Sequence, residues 1–146
     1  MSLELQDKHI FIVEDNAANA GIMMTTLQMA GAFTRFDRWG RDTIIRIKSD
    51  KHVDLILMDL MLPNGLTGYD VYDELQKEPE LSDIPVVIVS ASDANIEMNK
   101  ARQKGFAGYI CKPISFATFP RIIAAILKGE EFWGEDFVYL GENDIE

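Results

Sequence analysis

Ile10-Phe11-Ile12-Val13-Glu14-Asp15-Asn16 runs from unbroken apolar sequence straight into two acids. Four consecutive apolar residues leave no polar face, so a strand made of them has to be covered on both sides, as in a parallel sheet lying between two layers of helices. The same shape recurs along the chain. Leu55-Ile56-Leu57-Met58 ends in Asp59, Val86-Val87-Ile88-Val89 ends in Ser90, and Tyr109-Ile110-Cys111 ends in Lys112-Pro113. Helical patterns separate these runs. From Ala17 to Ala30 the apolar residues Ile22, Met23, Leu27 and Ala30 fall at helical spacing, with Asn16 placed to cap the start and Gly31 to stop the end. Residues 43–48, 69–76, 94–104 and 116–127 read as further helices, and residues 32–36 as one more strand. The order is β-α repeated five times, which predicts a doubly wound α/β sandwich with right-handed crossovers.

The composition agrees with one globular domain. The chain has 146 residues, 47% of them hydrophobic and 26% charged, too apolar for a disordered chain. No apolar run approaches the roughly 18 to 20 residues that span a bilayer, which argues against a membrane protein. Cys111 is the single cysteine, so no intramolecular disulfide can form, and the amino terminus lacks the basic-then-apolar pattern of a secretory leader. A reducing cytoplasm is the expected compartment. The formal charge of −10 excludes nucleic acid as a natural partner, since that affinity comes from Lys and Arg displacing counterions. Seven of the acids lie in residues 129–146 with no Lys or Arg among them, which leaves −3 on residues 1–128. The sequence therefore divides into a body, 1–128, and an acidic extension, 129–146. Phe132, Trp133, Phe137 and Tyr139 within the extension are expected to fold back on the body, because four aromatic residues rarely stay wet together.

Each strand delivers a polar group at its carboxyl end, where open parallel sheets place their ligands. Glu14, Asp15, Asp59, Ser90 and Lys112 thus converge on one crevice: three carboxylates, a hydroxyl and an ammonium. The acidic first turn repels a bare phosphate and disfavours a flavin or nicotinamide site, which would offer glycine-rich backbone amides there. Three hard oxygen donors without clustered His or Cys suit Mg²⁺. With the repulsion relieved, Asp59 is placed to attack a phosphoryl group while Lys112 neutralises its oxygens and Ser90 donates a hydrogen bond. Taken singly, each residue has an ordinary structural explanation: Glu14 or Asp15 as a helix N-terminal charge, Asp59 as a strand end, Ser90 as the start of a turn.

Taken in order, Glu14-Asp15, Asp59, Ser90, Tyr109 and Lys112-Pro113 resemble a response-regulator receiver domain of the chemotaxis-type, single-domain kind, over roughly residues 8 to 128. The resemblance implies a flavodoxin-like five-stranded sheet in the order 2-1-3-4-5 with five flanking helices. It implies phosphoryl transfer onto Asp59 from a histidine kinase or a histidine phosphotransfer protein, and Mg²⁺ held by Glu14, Asp15, Asp59 and the backbone carbonyl of Met61. Ser90 and Tyr109 would form the switch pair, with Ser90 turning to the phosphoryl group and Tyr109 moving inward behind it. The Lys112-Pro113 peptide would be cis and would aim the ammonium into the crevice. The first helix with Pro113 and Ile114 would dock the phosphodonor. The face made by the fourth helix, fifth strand and fifth helix would bind a downstream protein target or, on phosphorylation, a second copy of the chain. Such a protein is a switch that catalyses only its own phosphotransfer and dephosphorylation.

The stretch from Pro63 to Gly68 holds one residue more than the commonest pattern, and Gly65 is expected to absorb it with positive φ. Met61 and Ser92, two residues after Asp59 and Ser90, fall where such proteins modulate water access, and an apolar Met61 would shield an acyl phosphate. Three other readings compete. A phosphorylation-independent interaction module of the same fold is opposed by the complete acid set and Lys112. A haloacid-dehalogenase-type phosphatase would want a second Asp where Met61 stands. A flavodoxin-like electron carrier is opposed by the acidic first turn.

Overall fold

The computed structural model describes residues 3–50 and 52–134. Its elements alternate as expected: β1 (His9–Val13), α1 (Ala17–Met29), β2 (Phe33–Asp37), α2 (Thr43–Ser49), β3 (Leu55–Met58), α3 (Gly68–Gln76), β4 (Val86–Ser90), α4 (Ala94–Lys104), β5 (Gly108–Cys111), α5 (Phe119–Leu127) and β6 (Phe132–Gly134). The sheet is parallel throughout, in the order β2-β1-β3-β4-β5-β6. The expected order and helices are present, and a short sixth strand is added. No helix among the described residues is long and apolar enough to cross a membrane.

The unbroken apolar runs are explained by two separate cores. Side chains alternate across a strand, so Ile10, Ile12, Leu55, Leu57, Val87 and Val89 pack on one face with Leu27 of α1 and Ile122, Ile123 and Ile126 of α5. Phe11, Val13, Ile56, Met58 and Ile88 pack on the other with Ile47 of α2, Val71 and Leu75 of α3 and Ala101 of α4. Every residue of β3 is at most 1% exposed. Burying each such side chain contributes about 1.5–3 kcal/mol against the cost of ordering the chain.

Several boundaries have identifiable causes. Asn16 caps α1 by accepting the Asn19 backbone N–H at 2.9 Å. Thr67 and Asp70 form a reciprocal capping box that starts α3 at Gly68. The last helix begins at Phe119 rather than at Phe116, because residues 115–118 are held in a turn by Thr118 and Phe119 N–H groups on the Ser115 carbonyl, at 3.2 and 2.9 Å. Pro120 then occupies the first turn, where its missing N–H costs nothing. Gly65 has φ +74° as anticipated, and Asn64 joins it at φ +62°. The extra residue is thus taken up in a single turn of 3₁₀ helix, Pro63–Gly65, closed by the Leu62 N–H on the Leu66 carbonyl at 3.1 Å and by a Met61–Thr67 bridge.

Phe132 and Trp133 do fold back on the body, as the first aromatic residues of the extension. Phe137 and Tyr139 lie outside the described residues.

Candidate functional site

The site is built on the carboxyl ends of β1, β3, β4 and β5. Register places them side by side, with Val13 opposite Met58, Met58 opposite Ile88, and Ser90 opposite Cys111. The residues that follow are then tied to neighbouring strands. The Asp59 N–H donates to the Val13 carbonyl at 3.0 Å, and the Lys112 N–H to the Ser90 carbonyl at 2.9 Å. Close packing fixes Asp59 from below: a Cβ on Gly68 would lie 2.3 Å from the Asp59 carbonyl oxygen, so only glycine lets α3 start there.

Glu14, Asp15 and Asp59 each bring a carboxylate oxygen within 4.8 Å of the others. Glu14 and Asp59 are buried and Asp15 is half-buried. Lys112 Nζ lies 2.7 Å from Glu14 Oε1 and 3.1 Å from Asp59 Oδ2, so one ammonium serves two buried acids. The Lys112 ammonium donates a hydrogen bond to Asp59 Oδ2 and is ion-paired with Glu14 Oε1. Burial, opposed by Lys112 and reinforced by the Asp59 charge, pushes the Glu14 carboxyl up to about 7. Burial works against the Lys112 charge, but Glu14 and Asp59 outweigh it and hold the ammonium above its ordinary value. Glu14 Oε2 accepts the Asn16 N–H at 3.2 Å, and Asp59 Oδ1 the Met61 N–H at 3.4 Å.

Three carboxylate oxygens within 4.8 Å of one another, two of them on buried residues that share a single ammonium, form a donor set for a hard cation. Such an ion would add positive charge where one ammonium serves the cluster and would relieve the repulsion among the three acids. The residues therefore fit Mg²⁺.

The remaining sequence-expected residues sit around this centre. Ser90 is buried, and its Oγ accepts the Ser92 N–H at 3.1 Å. Tyr109 is fully buried, its hydroxyl donating to the Ser92 carbonyl at 3.4 Å, and that burial pushes its phenol pKa up. The Lys112-Pro113 peptide is cis. Pro113 and Ile114 border a groove of about 350 Å³ that also takes in Asn19, Ile22 and Met23 of α1. The Met61 side chain is 67% exposed and does not bury against the carboxylates.

Two supports were not read from the sequence. Gly68 is one, although the Thr67–Asp70 capping pair on either side of it is a helix-start pattern. Asp37 is the other: buried at the end of β2, it accepts the Thr43 hydroxyl at 2.7 Å and the Gly40 N–H at 3.2 Å, and so folds the β2–α2 turn beside the first acids.

Residues 10–124 match the response regulator receiver domain family. A curated relative, the polar-differentiation response regulator DivK of Brucella ovis, is 35% identical over 120 residues, covering 82% of this chain and 96% of its own length. Among solved structures, the receiver domain of sensor histidine kinase PA1611 from Pseudomonas aeruginosa, with magnesium coordinated in its cleft, superimposes with a TM-score of 0.73 at 25% identity, covering 85% of this chain and 99% of that one. A putative response regulator from Chloroflexus aurantiacus shares the fold, with a TM-score of 0.77 at 21% identity over 84% of this chain and 99% of its own. With the acidic pocket of Glu14, Asp15 and Asp59 at the strand ends, the chain belongs to the response regulator receiver domain family and is a signalling switch of two-component systems rather than an enzyme.

Proposed function

We propose that this chain accepts a phosphoryl group on Asp59 from the phosphoimidazole of a histidine kinase or histidine phosphotransfer protein, and that the product changes a protein-binding surface. The observation that carries this reading is Lys112 Nζ lying between Glu14 and Asp59, with Asp15 completing a tight acid cluster at the strand ends. Asp59 Oδ attacks phosphorus in line, the new O–P bond forming as the P–N bond to imidazole breaks. The imidazole leaves with the electron pair and takes up a proton. Lys112 follows the phosphoryl oxygens, exchanging its Asp59 contact for one to the incoming group. The Ser90 hydroxyl turns from local backbone to donate to another phosphoryl oxygen, and buried Tyr109 holds the space behind it. Mg²⁺ held by Glu14, Asp15, Asp59 and the Met61 carbonyl would neutralise the charge on the phosphoryl oxygens.

The groove at Pro113 and Ile114 favours docking of the phosphodonor there, since Ile22 beside it is 44% exposed and Lys112 lies in its lining. The match to DivK over 96% of its length supports residues 1–128 as the receiver proper, with 129–146 as an extension beyond it. Pairing of two phosphorylated copies through α4, β5 and α5 would require β6 to move.

Intact mass after incubation with acetyl phosphate tests the reading. A single phosphoryl increment that needs Mg²⁺ and is absent in Asp59→Asn is expected. A folded protein that gains no mass would overturn it in favour of a phosphorylation-independent module.

A further inference from the structure

Strand β6 lies along the edge at which a five-stranded sheet would end. Phe132 stands opposite Gly108, Trp133 opposite Tyr109 and Gly134 opposite Ile110. Both faces of this short strand are anchored. Phe132 is 4% exposed in the core layer of α1 and α5, while Trp133 packs in the opposite layer with Tyr109. The Arg102 guanidinium of α4 sits 4.7 Å from the Trp133 ring centroid, and the indole N–H donates to Glu131 Oε1 at 2.7 Å. The seat is shaped for the strand. A Cβ at position 108 would meet the Phe132 carbonyl oxygen at 2.9 Å and Ile126 Cδ1 at 3.2 Å, so Gly108 is the residue that lets β6 approach.

A short path joins this seat to Asp59. The Ser92 backbone is held on both sides of its Cα, its N–H by Ser90 Oγ at 3.1 Å and its carbonyl by the Tyr109 hydroxyl at 3.4 Å. If Ser90 turns to a phosphoryl group, Ser92 loses one of these ties, and the acceptor that positions Tyr109 is freed with it. Tyr109 is the register neighbour of Trp133, and the Ser92 turn leads directly into α4, which carries Arg102.

We infer that the β5 edge is a docking groove for a short extended aromatic segment, that the chain's own Phe132-Trp133-Gly134 is its resident occupant, and that a phosphoryl group on Asp59 loosens this occupant through Ser92 and Tyr109. The coupling rests on Asp59 being the phosphoacceptor. In the resting chain the strand satisfies a backbone edge that would otherwise pair with another protein or a second copy, and its release uncovers that edge.

The test uses the full chain carrying Trp39→Phe, which leaves Trp133 as the single indole. Intact mass, Trp133 emission and amide hydrogen exchange are read on the same sample with and without acetyl phosphate and Mg²⁺. In the phosphorylated sample, protection over residues 132–134 is expected to fall about fivefold or more, with Trp133 emission moving to longer wavelength. Neither change is expected in Asp59→Asn. Unchanged protection in a sample whose mass shows the phosphoryl group overturns the coupling. A sample that gains no mass overturns the phosphoacceptor function, and the coupling with it. The resident occupant is then judged by Arg102→Gln, which strips the ring contact without touching the core. That variant is expected to lower protection of the strand about two- to fivefold without any phosphoryl donor. Protection unchanged there and in Gly108→Ala, both folded, overturns the docked strand.

Discussion

Asp54, just ahead of β3, accepts the His9 backbone N–H at 2.7 Å and lies 2.5 Å from His52 Nε2, whereas Asp59, just beyond the same strand, faces Glu14 and Asp15 with one shared ammonium. Burial alone would raise the Asp54 pKa, but the His9 N–H and His52 outweigh it and hold the carboxyl below 3.8. At the other rim, burial and like charge push Glu14 up to about 7. One rim is electrostatically relaxed and stabilises the fold. The other gathers three carboxylates about one ammonium in a largely buried place, where an added cation would relieve them further. A family of acids at strand ends is therefore not read by residue type alone; what separates structure from function is whether each carboxylate already has its donors.

The contrast is most sharply broken at Lys112. Lys112→Met should slow phosphoryl uptake from acetyl phosphate by about 10²–10³-fold, followed as mass gain with time, because the developing charge loses its fixed cation. Gly68→Ala should come next, lowering unfolding free energy in urea by about 2–4 kcal/mol, since its methyl cannot share space with the Asp59 carbonyl. On the relaxed rim, Asp54→Ala should cost about 1.5–3 kcal/mol at pH 7. The Asp54 pKa is lowered in the folded state, so its contribution is present above pH 3.8 and is lost as the pH falls through the folded value; urea titrations of wild type and variant should converge in acid. The smallest effect concerns Glu14. Its raised pKa means that the native state holds a proton the unfolded chain has released between pH 4.5 and about 7, so this group makes the metal-free fold less stable as pH rises through that window. Mg²⁺ affinity should move the opposite way, strengthening about tenfold from pH 6 to pH 8 by calorimetry, because binding displaces that proton.

Much of this was legible in the sequence because the β1, β3 and β4 runs are apolar at every position. A strand without a polar face admits one environment, and the first polar residue after it marks the rim. Asn16 and Gly31 bounded α1 for similarly local reasons. Other features depended on contacts that no local pattern records. The aromatic residues of the extension indicated folding back, but Phe132-Trp133-Gly134 is too short for strand periodicity, and its clearest trace, Gly108, lies far away in sequence. The start of α5 was misplaced because Phe116 fits the helical spacing, although it is 53% exposed and Pro120 marks the first turn. Met61, expected to shield an acyl phosphate, is 67% exposed. The buried position of Tyr109 is tied to the Ser92 carbonyl, a contact that no local pattern records.

The turn at Pro63–Gly65 bears on how such a protein changes over evolution. Because Leu62 and Leu66 are tied to each other and Met61 bridges Thr67, the inserted residue is confined within a closed ring of backbone that begins and ends at nearly one place. Length can vary inside that ring while Asp59 on one side and Gly68 on the other stay where they are. The surface a partner meets beside the phosphoacceptor is thus free to diversify independently of the chemistry it overlooks.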